Sequence, residues 1–160
     1  MTDSAPSPTP ESVDPDQAGL IGLLGAFQHL QSQNLRMSSH LSQVLSLGST
    51  DLRVLVYLFS TENVSPRDLA AVLGHTTGSI TALIDRLEKA SDVERRPHPT
   101  DRRSQLLHLT DKGRAAVSQV IDVYSTAFDG VFSGAELRAA TRTLIALGDA
   151  LVHSLPEQTE

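Results

Sequence analysis

Four arginines stand within nine residues of the chain, at 95–103, where it reads RRPHPTDRR. A guanidinium is a planar, permanently charged fork that grips phosphate or carboxylate oxygens two at a time. Pro97, Pro99 and the Thr100-Asp101 pair separate Arg95 and Arg96 from Arg102 and Arg103, so the run is neither a helix face nor a plain basic tail. The chemistry on offer is anion binding from a stiffened tip. Catalysis is a poorer fit: His98, Asp101 and Ser104 are catalytic residue types, but one exposed loop would neither desolvate nor orient them, and no enzyme is expected. GHTTGS, 74–79, has the look of a phosphate loop, yet it lacks the Gly-Lys-Ser/Thr ending and follows no strand. The six histidines show no paired ligand spacing, and the absence of cysteine excludes disulfides and thiolate zinc sites. Neither a metal nor a cofactor is expected.

The arginines are conspicuous because the 160-residue chain has a formal net charge of −6. Residues 64–114 carry nine Lys and Arg against seven Asp and Glu, whereas the remainder carries four against twelve. The middle of the chain is therefore the part able to face an anion. Aromatic content is only 4%, which argues against base-stacking platforms for single strands. The first residues lack the basic and apolar stretches of a signal peptide, and no apolar run approaches the length of a membrane span, so the expected location is the cytoplasm.

The elements that must position the arginines can be read from periodicity and punctuation. Residues 1–16 hold four prolines and four acids with no base, and are expected to be a disordered tail. Over 18–45, Leu20, Leu24, Phe27, Leu30, Met37, Leu41 and Val44 recur at helical spacing, and Arg36 is the only charge between Gln17 and Thr50. Such a helix is expected to lie against other helices on most sides. Ser49 or Thr50 can cap a second helix with Leu52, Leu55, Val56 and Phe59 on one face. In SPRDLAAVLG, Ser65 fits an N-cap, Pro66 the first helical position, Asp68 a capping-box acid and Gly74 the C′ residue. Thr76 can cap a fourth helix whose Ile80, Leu83, Ile84 and Leu87 form the buried face. Gly78, Thr81, Ala82 and Asp85 then point outward, flanked by Ser79 and Arg86. Two short β-like runs, 93–96 and 105–109, bracket the arginine-rich stretch. Thr110 caps a fifth helix, and Ser133 with Glu136 opens a last one.

Two helices joined by a tight glycine turn, followed by a hairpin, spell a winged helix-turn-helix with RRPHPTDRR as its wing. The fold class expected is mainly α with a small β-hairpin wing, the winged unit at 49–110 embedded between helical regions at 17–48 and 111–156. Thr77, Gly78, Ser79 and Thr81 suit reading of base edges from a helix N-terminus in the major groove, with Gly78 and Ala82 permitting close approach. Arginines on a rigid tip beside such a helix favour phosphates or a narrow minor groove. Asp85 is awkward on this surface, and pairing with Lys89 at i+4 is the expected resolution.

At this point the chain resembles the MarR family of bacterial transcriptional regulators, most specifically through Asp101, Arg103, Leu109, Thr110 and Gly113. TTGSITALIDRLE before them and DKGR after them read the same way, and the resemblance covers roughly 18–155. It implies a regulator of transcription, a repressor released by a small effector, binding double-stranded DNA at a pseudo-palindromic operator. It implies a homodimer formed by the N- and C-terminal helices, with 17–48 and 111–156 as the dimerisation region. The DNA-contacting set is then Thr76, Thr77, Gly78, Ser79, Thr81, Ala82, Arg86, Arg96, Asp101, Arg102 and Arg103, with Asp101 holding an arginine at the wing tip. The chain departs from the family at the corner before the wing, where glycine and an apolar residue are usual and Ser91-Asp92 stand instead. The resemblance also places a small aromatic or anionic effector between the first helix and the winged unit. Arg36 and His40, four residues apart in a stretch otherwise without charge, are the candidate ligands, with interface hydrogen bonds as their other reading. Two other functions remain open from the sequence: a winged-helix protein-interaction module without DNA binding, and a metal-responsive regulator.

Overall fold

The computed structural model describes residues 14–101 and 104–154. Eight elements follow in chain order: α1 Pro15–Val44, α2 Ser49–Ser60, α3 Pro66–Leu73, α4 Thr77–Lys89, β1 Val93–Pro97, β2 Gln105–Leu109, α5 Asp111–Phe128 and α6 Gly134–His153. None of the described helices is long and apolar enough to cross a membrane.

Local signals set most boundaries. The Ser65 hydroxyl accepts from the Asp68 N–H, Pro66 opens α3, and Gly74 closes it in the left-handed region at φ 63°. Thr76, Thr110 and Ser133 cap α4, α5 and α6 in the same way. Two boundaries differ from expectation. Helix α1 starts at Pro15, with the Asp14 carboxylate accepting from the Asp16 N–H at 3.1 Å. The proline expected to close a tail instead opens a helix, because proline's fixed φ suits a first turn. Residues 1–13 of that expected tail lie outside the described residues. Helix α2 is entered through Gly48 rather than Ser49 or Thr50. Asp51 reaches back to accept from the Gly48 N–H at 3.2 Å, which satisfies an orphan donor without a hydroxyl cap.

The core belongs to the central unit. Val54 and Leu55 of α2, Leu69 of α3, Ile80, Ile84 and Leu87 of α4, Val93 of β1, Leu107 and Leu109 of β2 and Val117 of α5 pack into one cluster. The strands pair antiparallel, Val93 opposite Leu109 and Pro97 opposite Gln105. Val64 adds its carbonyl to the hairpin by accepting from the Leu107 N–H at 2.8 Å, which ties the approach to α3 to the wing. Helix α4, the wing and their support are thus one packed body.

The flanking helices behave otherwise. Among its described side chains helix α1 buries only Leu41 and Ser42, near its C-terminal end, and leaves Leu20, Ile21 and Leu24 half exposed or more. None of the residues of α6 is buried. The expectation that the first helix is packed on most sides does not hold within one chain.

Candidate nucleic-acid interface

Helix α4 turns Ile80, Leu83, Ile84 and Leu87 into the core, and this fixes what the opposite side presents. Thr76, Thr77, Gly78, Ser79, Thr81 and Ala82 are all exposed, on or just before its first turn and a half. A methyl built on Gly78 would meet nothing within 4 Å, so that flank is open to close approach. Two hydroxyls fold back onto the helix: Ser79 donates to the Thr76 carbonyl and Thr81 to the Thr77 carbonyl, each at 2.9 Å. With its hydroxyl so engaged, Thr81 can still offer its methyl group, a surface suited to a thymine methyl.

The arginines divide into two kinds. Arg86 spends its fork on the α2 side chain Asp51, Nε at 3.2 Å and Nη2 at 2.5 Å from the two carboxylate oxygens. Hydrogen bonding to Asp51, and then its charge, raise the Arg86 pKa above its usual value. Asp51 is buried while Arg86 is half exposed, so the pair clamps α4 to α2 at the edge of the surface. Arg95 of β1 does the same for the wing, pairing with Asp85 at 2.7 Å and with Glu88, whose other oxygen accepts from the Arg95 N–H at 2.9 Å. This corrects the expected Asp85–Lys89 pair. A strand residue brought beside α4 by tertiary packing reaches Asp85 with a charge-assisted bond. The awkward carboxylate is thereby neutralised, and a wing arginine becomes a brace. Arg96 is exposed and pairs with Glu94 two residues before it on the same strand.

The wing tip is tied internally. The His98 N–H donates to the Ser104 carbonyl at 3.1 Å, and Ser104 returns its N–H to the Asp101 carbonyl at 3.0 Å. The Ser104 hydroxyl donates to the Asp101 carboxylate at 2.6 Å. His98 Nδ1 accepts from the backbone N–H groups of Thr100 and Asp101, at 3.3 and 3.1 Å. Arg102 and Arg103 lie outside the described residues. Strand register sets His108 opposite Glu94 and leaves His98 beyond the ladder, so the two imidazoles do not meet across the hairpin. Among the described residues no group of three or more His, Asp or Glu is placed to hold a metal.

The corner between α4 and the wing is where the unusual residues stand. Ser91 takes the left-handed conformation at φ 59°, which costs a non-glycine residue about 1 kcal/mol. Its N–H and that of Asp92 close the helix on the carbonyls of Glu88 and Leu87, at 2.8 and 2.9 Å. The Thr110 hydroxyl donates to the Ser91 carbonyl at 2.7 Å and holds the strained residue from across the hairpin. Asp92, which stands where the resemblance leads one to expect an apolar residue, is buried. Asp51, the partner of Arg86, is a neighbour of this surface that the sequence does not flag.

Beneath the winged unit lies a cavity of about 870 Å³, lined among others by Leu52, Tyr57, Val120, Tyr124 and Phe128, with Asn34, Ser38 and Arg53 supplying polar atoms. Asn34 accepts from the Tyr124 hydroxyl at 2.5 Å. Arg36 and His40 are exposed and absent from this lining. At 100° per residue they stand roughly 200° and 240° around α1 from Asn34, on the side turned away. The four-residue spacing did place them on one face, but it is the wrong face for this cavity.

Comparison with known proteins agrees with this geometry. A model of the MarR family matches residues 47–105, the stretch from just before α2 to the start of β2. The transcriptional repressor MprA of Escherichia coli is 33% identical over 95 residues, 58% of this chain and 54% of that protein. The chain thus spans about half the length of that relative. The HTH-type transcriptional regulator YcgE of Bacillus subtilis is 38% identical over 105 residues, 61% of this chain and 68% of the relative. A mutant MepR of S. aureus bound to an oligodeoxyribonucleotide shares the fold, with a TM-score of 0.53 at 18% identity over 81% of this chain and 97% of that one. Joined to a helix-turn-helix, a hairpin wing and flanking helices in the expected order, these matches show that the chain belongs to the MarR family.

Proposed function

We propose that the chain is a sequence-specific, double-stranded DNA-binding transcriptional regulator, working as a homodimer and as a repressor released by a small aromatic or anionic effector. The observation that carries this reading is the outer side of α4: six small or hydroxyl residues, all exposed, on a helix whose other side is wholly committed to the core. Thr76, Thr77, Gly78, Ser79, Thr81 and Ala82 would enter the major groove. Arg96, with Arg102 and Arg103, would reach phosphates or the minor groove, and Asp101 would organise the tip. Arg86 acts mainly by holding α4 against α2. Exposed leucine and isoleucine faces on α1 and α6 support the dimer, which would set two recognition helices about one DNA turn apart. The cavity floored by Tyr57 and Tyr124 supports an effector, with Asn34, Ser38 and Arg53 as the polar contacts in place of Arg36 and His40.

Binding-site selection from random duplexes, followed by affinity across a salt series, tests the reading. A pseudo-palindrome should emerge, and Arg102→Ala or Arg103→Ala should cost about 1–3 kcal/mol for a groove contact or lower the salt slope by about 1 per subunit for a phosphate contact. Absence of any selected sequence, with both variants indistinguishable from wild type, would return the chain to a protein-interaction role.

A further inference from the structure

The Asp92 carboxylate is almost fully buried at the corner between α4 and β1, where Lys112 from the first turn of α5 meets its Oδ1 at 2.9 Å. Its Oδ2 is buried with no hydrogen-bond partner among the described residues. The same Lys112 Nζ donates to the Ala90 carbonyl at 2.7 Å, at the C-terminal end of α4. One ammonium therefore bridges the end of the recognition helix, the residue that starts the wing, and the helix that follows the wing. The backbone repeats the connection: the Asp92 carbonyl accepts from the Thr110 N–H at 3.2 Å. A methyl on Gly113 would stand 2.1 Å from that carbonyl, so α5 can come this close only with glycine there.

A carboxylate taken out of water at a corner normally filled by an apolar residue is costly unless a cation meets it. The lysine that meets it is itself mostly exposed and is held by no other acid among the described pairs. We propose that Lys112 is a positioning residue: through Asp92 and the Ala90 carbonyl it fixes the angle of α4 and the wing against α5, and so the presentation of the DNA-reading surface, without touching DNA. This rests on the DNA-binding reading for its consequence, but the geometric claim concerns the free protein.

The competing role for an exposed lysine near such a surface is a direct phosphate contact, and a double-mutant cycle separates the two. With a duplex recovered by binding-site selection, Lys112→Met should weaken binding about tenfold in the wild-type background and less than about twofold in an Asp92→Leu background. Asp92→Ala, which removes the acceptor with a smaller side chain, provides the second background should the leucine variant fold poorly. Since the chain has no cysteine, Lys89→Cys and Ser118→Cys can carry a label pair across α4 and α5. With doubly labelled chains diluted into unlabelled protein, Lys112→Met should broaden or shift the distance distribution in the absence of DNA. Equal losses of affinity in both backgrounds would make Lys112 a phosphate contact, and an unchanged distance distribution would remove the positioning role. If wild type binds no selected duplex, the DNA-binding reading fails while the label pair still decides the geometry.

Discussion

The central body and the flanking helices carry equally leucine-rich faces and treat them oppositely. Leu55 and Leu69 of the body are 0% exposed, whereas Leu144 and Leu151 of α6 are 50% and 56% exposed. Yet the helices of both regions start by the same local device. Ser65 and Asp68 form a capping box at α3, and Ser133 and Glu136 form another at α6. Local hydrogen bonding thus decides where a helix begins in either region, while the larger core closes in the body and α1 joins the packing only near its C-terminal end, where Leu41 meets Leu52 and Val120. A side chain's chemistry says little about how much its loss will be felt; the tertiary surroundings say most of it.

The largest expected contrast follows from that difference. Leu69→Ala should lower unfolding stability by about 3 kcal/mol at any protein concentration, since it opens a cavity in a closed core. Leu151→Ala should stay within about 0.5 kcal/mol in dilute protein and should show its effect as weakening of the proposed dimer at higher concentration. Denaturant titrations at two widely spaced concentrations make the comparison. Equal, concentration-independent losses would abolish the distinction between the two regions.

Glycines give a second contrast with opposite signs. Gly113→Ala should cost about 2 kcal/mol or more, because its methyl would meet a backbone carbonyl rather than a side chain that can swing away. Gly148→Ala in α6 meets nothing within 4 Å and should stabilise that helix locally by about 0.5–1 kcal/mol through helix propensity. Thermal unfolding against wild type reads the first variant, and slower amide exchange over α6 in dilute protein reads the second. Stabilisation by Gly113→Ala would mean that α5 sits farther from the corner than 2.1 Å implies.

How much of this was legible in the sequence depends on the range of the interaction. The caps of α3, α4, α5 and α6, the turn at Gly74 and the buried face of α4 act over three or four residues, and periodicity and punctuation read them. They did not read the caps of α1 and α2 at Asp14 and Gly48. The wing's place beside α4 was legible because the order of elements allows few alternatives. Partners separated by long stretches were not legible. Asp51 and Arg86 are 35 residues apart, and Asp85 meets Arg95 across a corner rather than Lys89 on its own helix. The local i to i+4 pairing loses there to a tertiary contact of better geometry. Arg36 and His40 illustrate the same limit from the other side: spacing gives a shared face, but only packing says which face meets the cavity.

The smallest effect belongs to the capping boxes. The Asp68 carboxylate accepts from the Ser65 hydroxyl at 2.7 Å and the Ser65 N–H at 3.0 Å. These bonds, the hydroxyl's first, hold its pKa below the ordinary value of 3.8. A carboxylate whose pKa is lower folded than unfolded binds fewer protons in the native state, so its contribution is complete above 3.8 and is lost as pH falls through the lowered value. Asp68→Ala should therefore cost about 1 kcal/mol of global stability near neutral pH, and the gap to wild type should close in strong acid. Glu136 at α6 has its pKa lowered by the same pair of bonds from Ser133. Because α6 has no buried residue, Glu136→Ala should loosen that helix locally, read as faster amide exchange over its first turn in dilute protein, with the global transition unmoved. If Glu136→Ala shifted the global transition as far as Asp68→Ala does, α6 would fold as part of the body.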